Sequence, residues 1–265
     1  MMGPPPHQYV PMHQTSRDGR HPEPPNPLAD EAADEAGFCR TCAFARACLA
    51  VGGGKTELSA LHCLVESVGP LPPGGYLFRE GDPFRAIFAV RTGAAKTSTI
   101  DHAGRQQVLG FHLPGEVIGL DAIHPDRFPC NAIALEPAQF CRFSFPAISA
   151  LATRMPVVQQ HLFRMLSKEI GTVGLLVGDY SADERMAAFL IDLSERYAVR
   201  GFSSSRFRLS MSRADIANYL RLASETVSRV LGRFRSTGLV EIEGRELFLC
   251  DPPRLRDIGK SLLQG

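Results

Sequence analysis

The sequence predicts an α+β chain: an N-terminal β-roll of short antiparallel strands, a long connecting helix and a C-terminal winged helix-turn-helix. Three observations carry this. Between Tyr76 and Leu120, short candidate strands are separated by turn signals at Gly81-Asp82, Thr92-Gly93, Ala103-Gly104 and Pro114-Gly115. From about Ala147 to Tyr180, apolar residues recur every three to four positions. Between Ser212 and Cys250, two short helical stretches flank a tight turn and an alternating hairpin pattern follows them.

The order of elements divides the chain. Residues 1–36 hold eight prolines before Leu28 and an acidic patch from Asp30 to Glu35, with no apolar periodicity, so a disordered Pro-rich tail is expected. Residues 37–55 form a cysteine-bearing loop. Residues 56–146 form the roll; its first stretch, "TELSALHCLVESVG", has helical spacing with Leu58, Leu61 and Val65 on one face. The alternation of "NAIALEPAQFCRFSF" closes the roll at Pro146. Residues 147–180 read as one helix that links two domains. Its stripe suits burial or a dimer seam, and a seam is expected at Val158, Leu162, Met165, Ile170, Val173 and Val177. Gly171, Gly174 and Gly178 each cost such a helix ~1 kcal/mol against alanine.

Residues 181–265 form the winged helix-turn-helix. "ADERMAAFLIDLSERYAV" is a helix whose Asp183 and Glu184 suit its positive end. Ser212 can cap "RADIANYL", with Asp215 in capping-box spacing. "SETVSRVLGRFRSTG" is the second short helix, and "LVEIEGRELFLC" turns at Glu243-Gly244.

The bulk numbers limit function. The chain has 265 residues, 44% of them hydrophobic and 22% charged, enough for two domains with cores. No apolar run is long enough to cross a membrane, and the N-terminus has no basic segment followed by an apolar one, so a cytoplasmic protein is expected. Thiols stay reduced there, and seven cysteines are an odd count, so clustered cysteines read as metal ligands or redox groups before disulfides. No spacing supports a catalytic site, and "GGGK" at 52–55 lacks the full phosphate-loop pattern. An enzyme is not expected.

Charge locates the partner. Net charge is only +1, yet Arg196 to Arg235 contains nine arginines, no lysines and two acids, Asp215 and Glu225. This is the footprint of a surface that meets phosphates; Arg213, Arg221, Arg233 and Arg235 are the candidates for backbone contact with double-stranded DNA. In the second short helix Glu225, Ser228 and Arg229 share a face at i, i+3 and i+4, while residues 227, 230 and 231 turn to the core. Glu225 can accept from cytosine, Arg229 can donate a fork to guanine, and Ser228 is small enough to approach either base edge. A Glu225–Arg229 surface ion pair is the plainer alternative.

"GFCRTCAFARAC" spaces Cys39, Cys42 and Cys48 as C-x2-C-x5-C. Thiolates that close wrap zinc or an iron–sulfur cluster, and spacing does not separate the two. A fourth ligand is needed. Cys63, Cys130, Cys141, Cys250 and His62 are all available, with Cys141 and Cys130 favoured because strands would hold them.

"ETVSRVLGRF" resembles the recognition helix of the CRP/FNR transcription regulator superfamily, and the order roll, long helix, winged helix matches it over residues 38 to about 250. Glu225-xx-Ser228-Arg229 is similar to the FNR-type, oxygen-responsive branch; Ser224 and Ser228 stand where the cyclic-AMP branch has arginine and glycine. The resemblance implies a cyclic-nucleotide-binding-like roll without a nucleotide: Gly115-Glu116 is present, but Arg127 is followed by Phe128 and lacks its hydroxyl partner. It further implies a 4Fe–4S cluster on Cys39, Cys42, Cys48 and Cys141, with "ALEPAQFCRFSF" resembling the strand of the distant fourth ligand; Cys63, Cys130 and Cys250 are then expected to pack as small apolar groups. The implied protein is an oxygen-sensing homodimer that binds TTGAT-like inverted repeats at promoters and acts on RNA polymerase. A zinc-stabilised or small-ligand-responsive regulator of the same fold is the alternative. One departure stands out: no acid lies between Glu169 and Asp179, where oxygen-gated members commonly carry one, so this dimer is expected to depend less on its cluster.

Overall fold

The computed structural model describes residues 65–173 and 178–263, the side chains of 169–173 excepted. The tail, the cysteine loop with Cys39, Cys42 and Cys48, Cys63, Val177 and the side chains of Ile170 and Val173 lie outside the described residues.

Eight strands build the roll: β1 (Val65–Leu71), β2 (Tyr76–Phe78), β3 (Ala86–Thr92), β4 (Ala95–Ile100), β5 (Gln106–His112), β6 (Val117–Ile118), β7 (Asn131–Ala134) and β8 (Ala138–Ser144). They form two antiparallel four-stranded sheets, ordered β1-β8-β3-β6 and β2-β7-β4-β5. The helical spacing seen from Leu58 does not reach Val65, which opens β1 opposite Phe143. Pairing with β8 decides the conformation there over local periodicity.

Strand β3 reads AIFAV and is buried at every one of those positions. Ala86, Phe88 and Val90 join the core between the sheets with Phe78, Phe128 and Phe140. Ile87 and Ala89 face the other way, into a layer with Cys141, Phe143 and Ile148. A strand covered on both faces loses the alternation of a half-exposed one. The inner core is aromatic: Phe128 stacks on Phe78 with centroids 3.7 Å apart. Gly119, at φ +94°, must be glycine, because a Cβ there would come within 2.9 Å of the Phe128 ring.

Two helices, α1 (Phe145–Arg154) and α2 (Pro156–Val173), cover the outer face of the first sheet. The single helix expected from residue 147 is thus broken. Met155 is extended, at φ −128° and ψ 93°, because the ring of Pro156 disfavours helical geometry in the residue before it.

The C-terminal unit comprises α3 (Ala182–Val199), β9 (Arg206–Arg208), α4 (Arg213–Leu220), α5 (Ser224–Ser236), β10 (Val240–Glu243), β11 (Glu246–Leu249) and α6 (Pro252–Leu263). Reciprocal capping boxes start α3 at Ser181/Glu184 and α4 at Ser212/Asp215. The hairpin β10–β11 turns at Gly244, whose φ of +61° suits a two-residue loop. The sheet gains a third strand, β9, in the order β10-β11-β9. Helix α6 packs on α3 so closely that a Cβ on Gly259 would stand 2.7 Å from the Ala188 nitrogen.

The winged unit sits on the roll. Ala94, Val108, Phe111 and Leu113 belong to the same core as Phe189 and Tyr219. Strand β5 is the edge of its sheet, and Asn218 completes it: its Oδ1 accepts from Val108 N at 2.6 Å and its Nδ2 donates to Gln106 O at 2.7 Å. Lys96 pairs with Asp215. Arg196 donates to Glu116 through Nε (2.9 Å) and Nη2 (2.5 Å), to Asp192 through Nη1 (3.0 Å), and to the Phe111 carbonyl. Burial opposes the charge on Glu116, but Arg196 and Arg200 outweigh it and hold the carboxyl at about 2.

His112 lies beside this cluster, its Nε2 3.1 Å from Thr97 Oγ1. Burial pulls it down to about 4, against the attraction of Glu116 and with the repulsion of Arg196. The unfolded histidine, near 6.5, therefore takes up its proton first as pH falls. Stability should decline from pH 6.5 towards 4, by on the order of 1–2 kcal/mol between pH 7 and 5. The Glu116 contribution is lost lower, as pH falls from about 4.5 to 2. Urea unfolding at pH 7 and pH 5 checks the first limb, and His112→Gln should flatten it.

Candidate DNA-reading face and buried thiol

Helix α5 is amphipathic because α3, α4 and the wing cover only one side of it. Val227, Val230, Leu231 and Phe234 are at most 3% exposed, while Glu225, Ser228, Arg229, Gly232, Arg233 and Arg235 are exposed. Ser228 Oγ donates to Ser224 O at 3.0 Å, which holds the hydroxyl against the helix. Arg229 Nη2 donates to Thr226 Oγ1 at 3.3 Å. Among the described residues no ion pair joins Glu225 to Arg229, so the surface pairing considered above does not form, and both groups stay presented to solvent.

The arginine-rich segment divides once the fold is known. Arg196 and Arg200 are bound to Glu116, Arg206 to Glu246, Arg208 to Glu136 and Arg233 to Asp183. These five are internal or neutralised on the surface. Among the described residues, Arg213, Arg221, Arg229 and Arg235 form no ion pair. Arg213 and Arg235 line a cavity of about 240 Å³ with Ser228, Leu231, Gly232 and Ile242. Burial pulls the pKa of Arg213 down, and its Nη1 is buried without a hydrogen-bond partner among the described residues. Arg221, in the turn between α4 and α5, is exposed and holds φ +57° and ψ +43°, a left-handed geometry that costs a side chain-bearing residue about 1–2 kcal/mol.

Cys141 is 2% exposed on β8, opposite Ala89 on one side and Ser67 on the other. It shares the outer layer of the first sheet with Leu162, Met165 and Leu166 of α2. Burial pushes its thiol up to about 11, Arg91 offsetting part of the effect. Cys130 lies in the other layer, between the sheets, with its Sγ 3.6 Å from Asp121 Oδ2. Cys250 is exposed, contrary to the expectation that it packs as an apolar group; it follows β11 at the surface. Among the described residues no three His, Cys, Asp or Glu side chains converge as a metal site, and Cys39, Cys42 and Cys48 are not among them.

Of the six residues expected at a seam, the side chains of Val158, Leu162 and Met165 are among the described residues. Val158 is fully buried with Leu151 and Ala152, and Leu162 and Met165 are half-buried against the Cys141 layer. The outward side of α2 carries Gln159, Gln160, Phe163 and Ser167, with Phe163 60% exposed.

The ligand pattern of the roll also reads differently in three dimensions. Glu116 is held by Arg196 and Arg200, Arg127 Nη1 donates to Gly81 O at 2.8 Å, and Phe128 occupies the space between the sheets.

Residues 69–154 match the cyclic nucleotide-binding domain family and residues 184–258 the Crp-like helix-turn-helix domain family. The chain is 42% identical over 230 residues to the transcriptional activator protein anr of Pseudomonas aeruginosa, covering 86% of this chain and 94% of that one. It is 39% identical over 216 residues to the anaerobic regulatory protein of Haemophilus influenzae, covering 80% and 84%. Among solved structures, FixK2 from Bradyrhizobium japonicum superposes with a TM-score of 0.66 at 28% identity, covering 73% of this chain and 96% of that one.

Proposed function

The chain belongs to the FNR-type branch of the CRP/FNR superfamily of transcription regulators, and on that premise we propose that it is an oxygen-sensing regulator whose homodimer binds TTGAT-like inverted repeats in promoters and acts on RNA polymerase. The observation that carries this is the exposed face of α5, where Glu225, Ser228 and Arg229 stand in base-reading register with no ion pair between them. Arg229 supplies the fork for guanine and Glu225 the acceptor for cytosine. Arg213, Arg221 and Arg235 flank them as phosphate contacts. Arg233 is the weakest of the four backbone candidates, because Asp183 already holds it. The relatives are named as a transcriptional activator and an anaerobic regulator, which supports a non-enzymatic role in anaerobic gene control.

For the sensor we propose Cys39, Cys42, Cys48 and Cys141 as ligands of a 4Fe–4S cluster. Cys141 fits as a donor: it is a soft sulfur on a rigid strand, shielded from water. Buried in an apolar layer, its thiol keeps its proton unless a metal cation replaces it. When bound, the cluster supplies an oxygen-labile tie among the four sulfurs. The chain's own part is mechanical: Cys141 packs in one layer with α2, so its surroundings and the outward Phe163 share one helix. Cys130 packs in the other layer, between the sheets. The Phe78–Phe128 stack between the sheets and the engaged Glu116 favour this reading over a small-ligand sensor.

Anaerobic purification should yield a brown protein with about four irons per chain that bleaches in air. Cys141→Ala should lose both colour and iron; a colourless wild type with one zinc would instead support the zinc-stabilised alternative. Sedimentation of the cluster-free protein at micromolar concentration should still show dimer, and Phe163→Asp should give monomer. On operator DNA, Arg229→Ala should lose ~1–3 kcal/mol of discrimination at one base pair. Arg221→Gly should weaken all sequences alike and lower the salt slope by about 1, with melting temperature unchanged or raised.

A further inference from the structure

A DNA-reading unit on a flexible tether would sample many orientations, yet this one is fastened to the roll at separate points. Asn218 completes the β5 edge, Lys96 holds Asp215, and Ser210 Oγ donates to Glu136 at 2.8 Å. The end of α3 is held most firmly. Glu116 accepts from Leu113 N (2.9 Å) on its own loop, from Arg196 through two nitrogens, and lies 3.2 Å from Arg200 Nη2. Both arginine side chains are 15% exposed and that of Glu116 is 11% exposed. Apolar contact alone lets surfaces slide, whereas a forked, desolvated guanidinium–carboxylate pair sets direction as well as distance. None of these contacts uses Glu225, Ser228 or Arg229, so the fastened arrangement leaves the reading face open.

We propose that Glu116 is a positioning residue for DNA reading: by anchoring Arg196 and Arg200 it fixes the winged unit on the β4–β5 hairpin, and so fixes the spacing at which two recognition helices meet an inverted repeat. The proposal rests on the dimeric, inverted-repeat reading above. It assigns the glutamate of the Gly115-Glu116 pair to an arginine partner within the chain and makes the hairpin, alongside the chain link from α2 to α3, a route by which the roll sets the reading geometry. One added base pair moves a half-site by roughly 3.4 Å and about a tenth of a turn, a displacement that a firmly held unit resists and a loosened one follows.

The test compares full-length, anaerobically purified wild type with Glu116→Gln on operators at the preferred half-site spacing and at one base pair more or less. Wild type should prefer one spacing. Glu116→Gln should bind that operator more weakly and lose about tenfold of the spacing preference. An unchanged preference in the variant would overturn the role of Glu116. A wild type indifferent to the inverted repeat would instead overturn the dimeric reading on which the proposal rests. Hydrogen exchange separates positioning from folding: Glu116→Gln should speed exchange in β5 and the last turns of α3 and leave β10–β11 protected. Equal loss of protection in the wing would mean that the carboxylate supports the fold itself, and the proposal would fall.

Discussion

Strand β3 has to be covered on both of its faces, and the arrangement of the molecule depends on that. Its run AIFAV offers apolar side chains to two layers at once. The second sheet takes one face, through Phe78 and Phe128; helices α1 and α2 take the other, through Ile148, Leu162 and Met165. Burying each large side chain is worth roughly 1.5–3 kcal/mol, so neither cover can be lifted cheaply. The neighbouring strand β8 shares the constraint. Its alternation delivers Phe140 to the inner layer and Cys141 to the outer one. Strand parity thus puts Cys141 beneath α2, whereas Cys130, in the bend before β7, packs between the sheets.

Much of this was legible in the residues. The capping box at Ser212 and the inward set Val227, Val230 and Leu231 could be read because helical periodicity and end chemistry are local properties. Other features were hidden because they depend on partners distant in sequence. The stripe through Val158 and Leu162 has the same spacing whether it faces a second protomer or the roll, and only tertiary packing distinguishes them. Val65 follows β8 in place of its own helical pattern. Two misses had usable signals: Pro156 marks the break at Met155, and Pro252-Pro253 followed by Leu255, Ile258 and Leu262 announces α6. Strand β9 is three residues long and has meaning only beside β11.

The arginines show why counting charge is not the same as locating it. Nine fall between residues 196 and 235, yet five are bound to acids elsewhere in the fold, two of them to one glutamate. The surface that can meet a phosphate is smaller than the sequence suggests and is gathered around α4 and α5. Such concentration suits a reader: fixed positive groups on either side of a base-contacting face set register, while the arginines bound within the protein hold that face still.

Asn218 adds a consequence for the roll taken alone. Its amide supplies the acceptor and donor that a further strand would present to β5, so the winged unit acts as a cap on an unfinished sheet. A fragment ending after α2 would expose those backbone groups beside Val108 and Phe111, a template for pairing with another copy of itself. The partition into sensor and reader, natural in terms of function, therefore cuts through a hydrogen-bonded edge, and the sensor half is a self-associating surface once its reader is gone.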